Sequence, residues 1–138
     1  MLQQYNRIMV AVDVSKEAEL AFKKAINVTK RNNAELVLLH VIDARAFQTM
    51  TSFDTMLAEQ ATDMAKESLA EYEETAKKQG LTSIKILIEY GSPKTVIAKY
   101  VPSEHQIDLI MLGATGLNAV ERLFIGSVSE YVIGHAPC

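Results

Sequence analysis

Short apolar runs alternate along the chain with longer stretches in which apolar residues recur every three or four positions. The runs are Ile8-Met9-Val10-Ala11-Val12, Leu36-Val37-Leu38-Leu39, Ile84 to Ile88, and Leu109-Ile110-Met111-Leu112. A strand with one wet face alternates apolar and polar residues, whereas a strand covered on both faces need not. The runs therefore predict buried strands over 7–13, 35–41, 83–89 and 108–113. Between them, Ser15 suits the N-cap of a helix reaching about Arg31, with Ala18, Ala21, Phe22, Ala25 and Ile26 on one face. From 54 to 79, Leu57, Ala61, Ala65, Leu69, Tyr72 and Ala76 recur at helical steps, and Gly80 suits the position just past the end. Ser92-Pro93 reads as an N-cap followed by a first-turn proline, opening a short helix that Pro102 should stop. A last helix is expected from Ser127, and 42–53 is the least patterned stretch, a long connection.

Strands alternating with helices imply right-handed crossovers and a parallel α/β sheet with helices on both faces. No internal repeat or linker divides the chain, so residues 1–138 are expected to form one domain. In open α/β folds ligands bind where the strands run into the following helices, all on one edge of the sheet. Chemistry should then gather at 13–15, 41–43, 90–92 and from Gly113 onward.

Composition narrows the function classes. The 138 residues are 49% hydrophobic and 22% charged, the balance of an ordinary folded chain. Fourteen Lys and Arg against 17 Asp and Glu give a net charge of −3 and no basic cluster, which argues against nucleic acid and polybasic membrane partners. No apolar run approaches the roughly 18–20 residues of a membrane span, and no signal-peptide pattern opens the chain. The one cysteine, Cys138, rules out an intrachain disulfide and favours a reducing compartment. A soluble, cytoplasmic protein is expected.

The strongest chemical signal is the spacing G-x-x-G-x9-G-S, carried by Gly113, Gly116 and Gly126-Ser127. Glycine admits positive φ and close approach of backbone N–H groups to a ligand, and successive N–H groups can cradle phosphate oxygens. Ser127 would add a hydroxyl and the positive end of a helix. The alternative is a glycine-bearing turn before a capped helix, and spacing alone does not choose between the two. The pattern is neither a Walker A loop nor the G-x-G-x-x-G dinucleotide fingerprint.

From Arg7 to Cys138 the chain resembles the universal stress protein family. The resemblance is carried by Ile8-Met9-Val10-Ala11-Val12-Asp13 with Ser15, Leu38-Leu39-His40-Val41, Gly91-Ser92-Pro93, Asp108-Leu109-Ile110-Met111-Leu112-Gly113 and the G-x-x-G-x9-G-S signature of the ATP-binding members. It implies a Rossmann-like, open five-stranded parallel sheet of order 3-2-1-4-5, a nucleotide at the strand ends, and a homodimer. It also implies roles. Asp13 would meet the ribose hydroxyls or the adenine edge nearby, Val41 would offer backbone groups to the adenine amino edge, and Leu112 would wall the base. Gly113, Gly116, Gly126, Ser127, Val128 and Ser129 would hold the phosphates. Core packing is the competing role for Val41 and Leu112, and helix-dipole stabilisation for Asp13. Val14 stands where many members have glycine, and Arg122 in the spacer is a solvated charge or a phosphate contact. The family's final strand should start where the chain stops, at Cys138, so the fifth strand is expected to be missing and the dimer mode stays open.

The resemblance thus implies a stress-response protein that binds ATP, ADP or AMP, with or without Mg²⁺, and answers to a downstream protein partner. An interaction module of the same fold without nucleotide is the alternative. A fast phosphoryl-transfer enzyme is disfavoured, since the glycine loop holds no lysine and no clearly placed general base, although slow ATP hydrolysis remains open. His40, His105 and His135 read as structural or surface residues, and no Cys/His metal spacing exists. Phe47, Met50 and Phe53 suggest a lid or a partner contact.

Overall fold

A computed structural model describes residues 5–12, 16–43, 52–112 and 133–137. The apolar runs become strands β1 (Arg7–Ala11), β2 (Glu35–Asp43), β3 (Ile84–Gly91) and β4 (Leu109–Met111). Helix α1 (Lys16–Asn32) links β1 to β2, and α2 (Ser52–Lys78) links β2 to β3. A short helix α3 (Pro93–Thr95), a π-helical turn (Val96–Tyr100) and α4 (Val101–His105) lead into β4. All strand pairings are parallel, in the order β3-β2-β1-β4. Among the described residues the sheet has four strands rather than the five of order 3-2-1-4-5, arranged in the first four places of that order.

The continuous apolar runs are explained by burial on both faces. On one face Val10, Leu36 and Leu38 pack with Phe22 and Ile26 of α1 and Leu69 of α2. On the other Met9, Val37 and Leu39 pack with Val96, Ile97 and Val101 of the π turn and α4. Phe22 and Tyr72 meet edge to face, ring centres 4.6 Å apart, and so join α1 to α2 over the sheet.

Helix ends follow local chemistry. Gly80, at φ +100°, ends α2: its N–H bonds Lys77 O and Leu81 N–H bonds Ala76 O, a Schellman pair. Asn33, at φ +51°, does the same for α1 through Lys30 O and Thr29 O, slightly beyond the end expected at about Arg31. Ser92 does precede a first-turn proline, but its side chain makes no capping bond; its carbonyl accepts Val96 N–H.

Several expected boundaries shift, β1 ending at Ala11 and β4 at Met111 among them, and two of the shifts change how segments connect. Pro102 does not stop the third helical segment. Val101 N–H reaches back five residues to Val96 O, and this widened turn resets the hydrogen-bond ladder so that Pro102 falls in the first turn of α4. There its missing N–H leaves no bond unmade, and the segment ends instead at Gln106, at φ +54°. The connection after β2 is also shorter than the pattern suggested. Ile42 and Asp43 pair with Tyr90 and Gly91, and α2 begins at Ser52.

Candidate functional site at the carboxyl ends of the strands

Of the residues expected to contact a nucleotide, Val41 and Leu112 are described. Asp13, Gly113, Gly116, Gly126, Ser127, Val128 and Ser129 lie outside the described residues, as do Ser15, Phe47, Met50 and Arg122. Val41 is the seventh residue of β2 and Leu112 directly follows β4. Both side chains are half-buried and pack, with Ala11 of β1, on the face covered by the π turn and α4. The β1–β4 register pairs Val10 with Met111, and its next step sets Ala11 beside Leu112. These three residues make an apolar ledge at the strand ends.

Backbone groups complete the ledge. Val12 N–H donates to Leu39 O at 2.8 Å, the last rung between the chain of β1 and β2. In a parallel ladder the next rung would run from Val41 N–H to Val12 O, because Leu39 and Val41 send their backbone groups to the same side. Among the described residues that rung is not made. The Val12 carbonyl instead accepts a hydrogen bond from His40 Nδ1 at 2.8 Å. Val41 therefore turns its carbonyl, and an N–H without a partner among the described residues, toward the place where β1 has ended.

On the β3 side the ledge is bounded by Gly91, whose φ of +146° disfavours any side chain. A Cβ there would also come within 3.2 Å of Val96 Cγ2. This geometry explains the glycine of Gly91-Ser92-Pro93: β3 must turn sharply while the π turn packs close beneath it.

Two clefts lie elsewhere. A groove of about 400 Å³ is lined by Ala58, Glu59, Thr62, Asp63, Lys66 and Tyr90, and the Tyr90 hydroxyl hydrogen-bonds Thr62 Oγ1 across it. A smaller cleft of about 230 Å³ lies at the opposite sheet edge, bordered by the ends of α1 and α2. Neither touches Val41 or Leu112. Among the described residues no cluster of His, Cys, Asp or Glu could hold a metal ion, and no helix is long and apolar enough to cross a membrane.

A parallel sheet with these helices, ending in this ledge, can be compared with known proteins. The sequence matches the universal stress protein family over residues 4–138. The chain belongs to the universal stress protein family. A family member from Staphylococcus haemolyticus is 46% identical over 134 residues, which span 97% of this chain and 81% of that one. Among solved structures, the universal stress protein UspA from Lactobacillus plantarum is 35% identical with a TM-score of 0.87, covering 99% of this chain and 96% of its own. A universal stress protein in complex with cAMP shares the fold at 20% identity and a TM-score of 0.71, covering 98% of this chain and 93% of its own.

Within this universal stress protein the sequence reading missed the part played by His40. One signal was present: His40 is the only polar residue in the run Leu36 to Ile42. A half-buried imidazole in a strand needs a partner, and the partner is the end of β1.

Proposed function

We propose that this universal stress protein binds ATP, or the corresponding di- or monophosphate, at the carboxyl ends of β1, β2 and β4, and acts as a nucleotide-dependent regulator rather than a fast enzyme. The observation that carries the reading is the Val41 edge: an N–H without a partner among the described residues, beside a carbonyl, over the apolar ledge of Ala11 and Leu112. A flat base that donates and accepts along one side suits such an edge. Adenine does so, with an exocyclic amino group beside a ring-nitrogen acceptor. The G-x-x-G-x9-G-S spacing adds the phosphate site, with Gly113, Gly116, Gly126, Ser127, Val128 and Ser129 as its donors and Asp13 at the ribose hydroxyls or the nearby adenine edge. Magnesium bound with the nucleotide would bridge phosphates and keep most of its waters, so it needs no protein cluster. The cAMP complex of a related universal stress protein supports an adenine nucleotide in this fold. The reading carries with it a cytoplasmic homodimer, one domain spanning the chain, and a downstream protein partner.

The test is to denature freshly purified protein and identify any released nucleotide by chromatography and mass spectrometry. Stoichiometric ATP is expected. Released ADP or AMP keeps the site and favours slow hydrolysis. No released nucleotide, followed by no saturable binding on titration with ATP and Mg²⁺, overturns the reading in favour of an interaction module.

A further inference from the structure

We propose that His40 is a positioning residue for base recognition: its imidazole takes the Val12 carbonyl out of the β1–β2 ladder and so keeps the Val41 backbone edge open for adenine. The inference rests on the ATP-binding reading and adds to it a residue that touches no ligand.

The geometry runs through three neighbouring residues. Leu36 and Leu38 face α1 and α2, so strand alternation puts His40 on that face and Val41 on the opposite one. From there the His40 Nδ1–H donates to Val12 O at 2.8 Å and draws that carbonyl toward the α1/α2 face. Val12 N–H is still held by Leu39 O, so the chain of β1 leaves the ladder between its own N–H and its own carbonyl. Val41 is the residue whose N–H loses its rung. Without the imidazole donor, the shortest way for the Val12 carbonyl to recover a bond is to accept from Val41 N–H, which would extend the ladder by one rung and close the edge.

The open edge sets base choice. One N–H and one carbonyl on the same side of a strand match adenine, which offers an acceptor beside an amino donor. Guanine presents a carbonyl oxygen where adenine has its amino group, so the Val41 carbonyl would face another acceptor. His40 therefore bears on the ratio of adenine to guanine nucleotide affinity and not only on affinity itself.

The test compares the wild-type chain with His40→Leu and His40→Asn. Asparagine places its amide N–H₂ near the position of the imidazole Nδ1, whereas leucine fills similar space without a donor. ATP and GTP affinities are measured by titration calorimetry, and Val41 amide exchange by NMR without nucleotide. His40→Leu is expected to weaken ATP by about tenfold, the scale of one lost hydrogen bond with its reorganisation. It should also bring the ATP and GTP affinities closer together and slow Val41 amide exchange. His40→Asn should restore all of these. Unchanged affinity ratio and unchanged Val41 exchange in His40→Leu would overturn the inference. If the wild type binds neither nucleotide, the ATP-binding reading fails, and the Val41 exchange still decides whether His40 holds that edge open.

Discussion

The two edges of the sheet are finished in opposite ways. At the amino-terminal edge nearly every exposed backbone group around β1 is tied down. Asp108 Oδ2 accepts the N–H groups of Asn6 at 2.6 Å and Arg7 at 2.9 Å, while Asp108 N–H donates back to Arg7 O. The Arg7 guanidinium donates to His105 O at 2.8 Å and pairs with Glu35. Tyr5 N–H reaches Asn32 Oδ1 at the end of α1. At the carboxyl edge one rung is withdrawn by His40, and Gly91 keeps a side chain off the turn. Helices run into strands at the amino edge and strands run into helices at the carboxyl edge, so the two edges are built from different kinds of loop. Within each, the individual residues just named set how far the backbone is tied down. Among the described residues, hydrogen bonds gather at the amino edge, and the Val41 N–H is left without a partner at the carboxyl edge, where the proposed nucleotide would satisfy it.

If that division holds, damage to the open edge should remove binding and spare the fold. The largest effect is expected from Gly116→Val with Gly126→Val, which fills the spaces where phosphates would approach the backbone. ATP affinity should fall by at least about a hundredfold, the loss of several charge-assisted hydrogen bonds. The thermal midpoint without nucleotide should stay within a few degrees of wild type. Retained ATP affinity would show that the glycine spacing is only a turn.

Gly91→Ala marks the limit of that division, because it strains the backbone of the open edge rather than its proposed binding groups. The substitution meets both the left-handed φ and the Val96 methyl at 3.2 Å. A cost of about 1–3 kcal/mol is expected, as for strained backbone elsewhere, read as a shifted urea midpoint with an unchanged slope. A stability equal to wild type would mean that the β3 turn and the π turn can move apart.

Much of this division is legible in the amino-acid sequence, and the illegible part has a physical pattern. Strand positions and helix faces can be read because burial on both faces leaves a signature in consecutive inner residues of β1 and β2. Gly80 can be read as a helix end because few other residues adopt its φ. Asn33 and Gln106 take left-handed conformations from residues that carry no such restriction, so their helix ends are placed less well or missed. Pro102 misleads for a related reason: proline forbids a bond only in an unbroken α-helical ladder, and the π turn breaks that ladder first. At the site, Val41 and Leu112 can be placed at strand ends from their position in apolar runs. The His40–Val12 bond joins residues 28 apart in sequence and depends on where β1 and β2 part company. No spacing rule encodes that. The proposed phosphate donors rest on sequence spacing and on the resemblance to ATP-binding members, since they fall outside the described residues.

The closed edge should show the converse behaviour. Asp108→Ala removes the carboxylate that accepts from two consecutive backbone N–H groups. The groups are exposed and water can replace the carboxylate, so the expected loss is about 1 kcal/mol rather than the larger value of a buried charged bond. ATP affinity should not change. Asp108→Asn, which keeps an acceptor oxygen without the charge, should recover part of the stability. A tenfold loss of ATP affinity in Asp108→Ala would dissolve the distinction between the two edges, because a change at one would then be felt at the other.

The smallest expected effect tests whether charge alone, on an exposed helix surface, contributes to the fold. The end of α2 carries two Glu–Lys pairs four residues apart, Glu73 with Lys77 at 3.7 Å and Glu74 with Lys78 at 3.4 Å. In both the glutamate precedes the lysine, the favourable orientation on a helix, and the lysines lie in the last turn where the dipole favours cations. Glu74 and Lys78 are both largely exposed, so water and salt compete for each charge. Glu74→Gln should therefore change stability by no more than about 0.5 kcal/mol, and the difference should vanish in 1 M salt, where the screening length is about 3 Å. Chemical denaturation in urea, which leaves ionic strength unchanged, can resolve the comparison at low and high salt. A larger, salt-resistant loss would mean that the Glu74 side chain supports the Schellman end at Gly80 by a route other than charge, and the fold would then depend on α2's exposed face as well as on the edge where its chain enters β3.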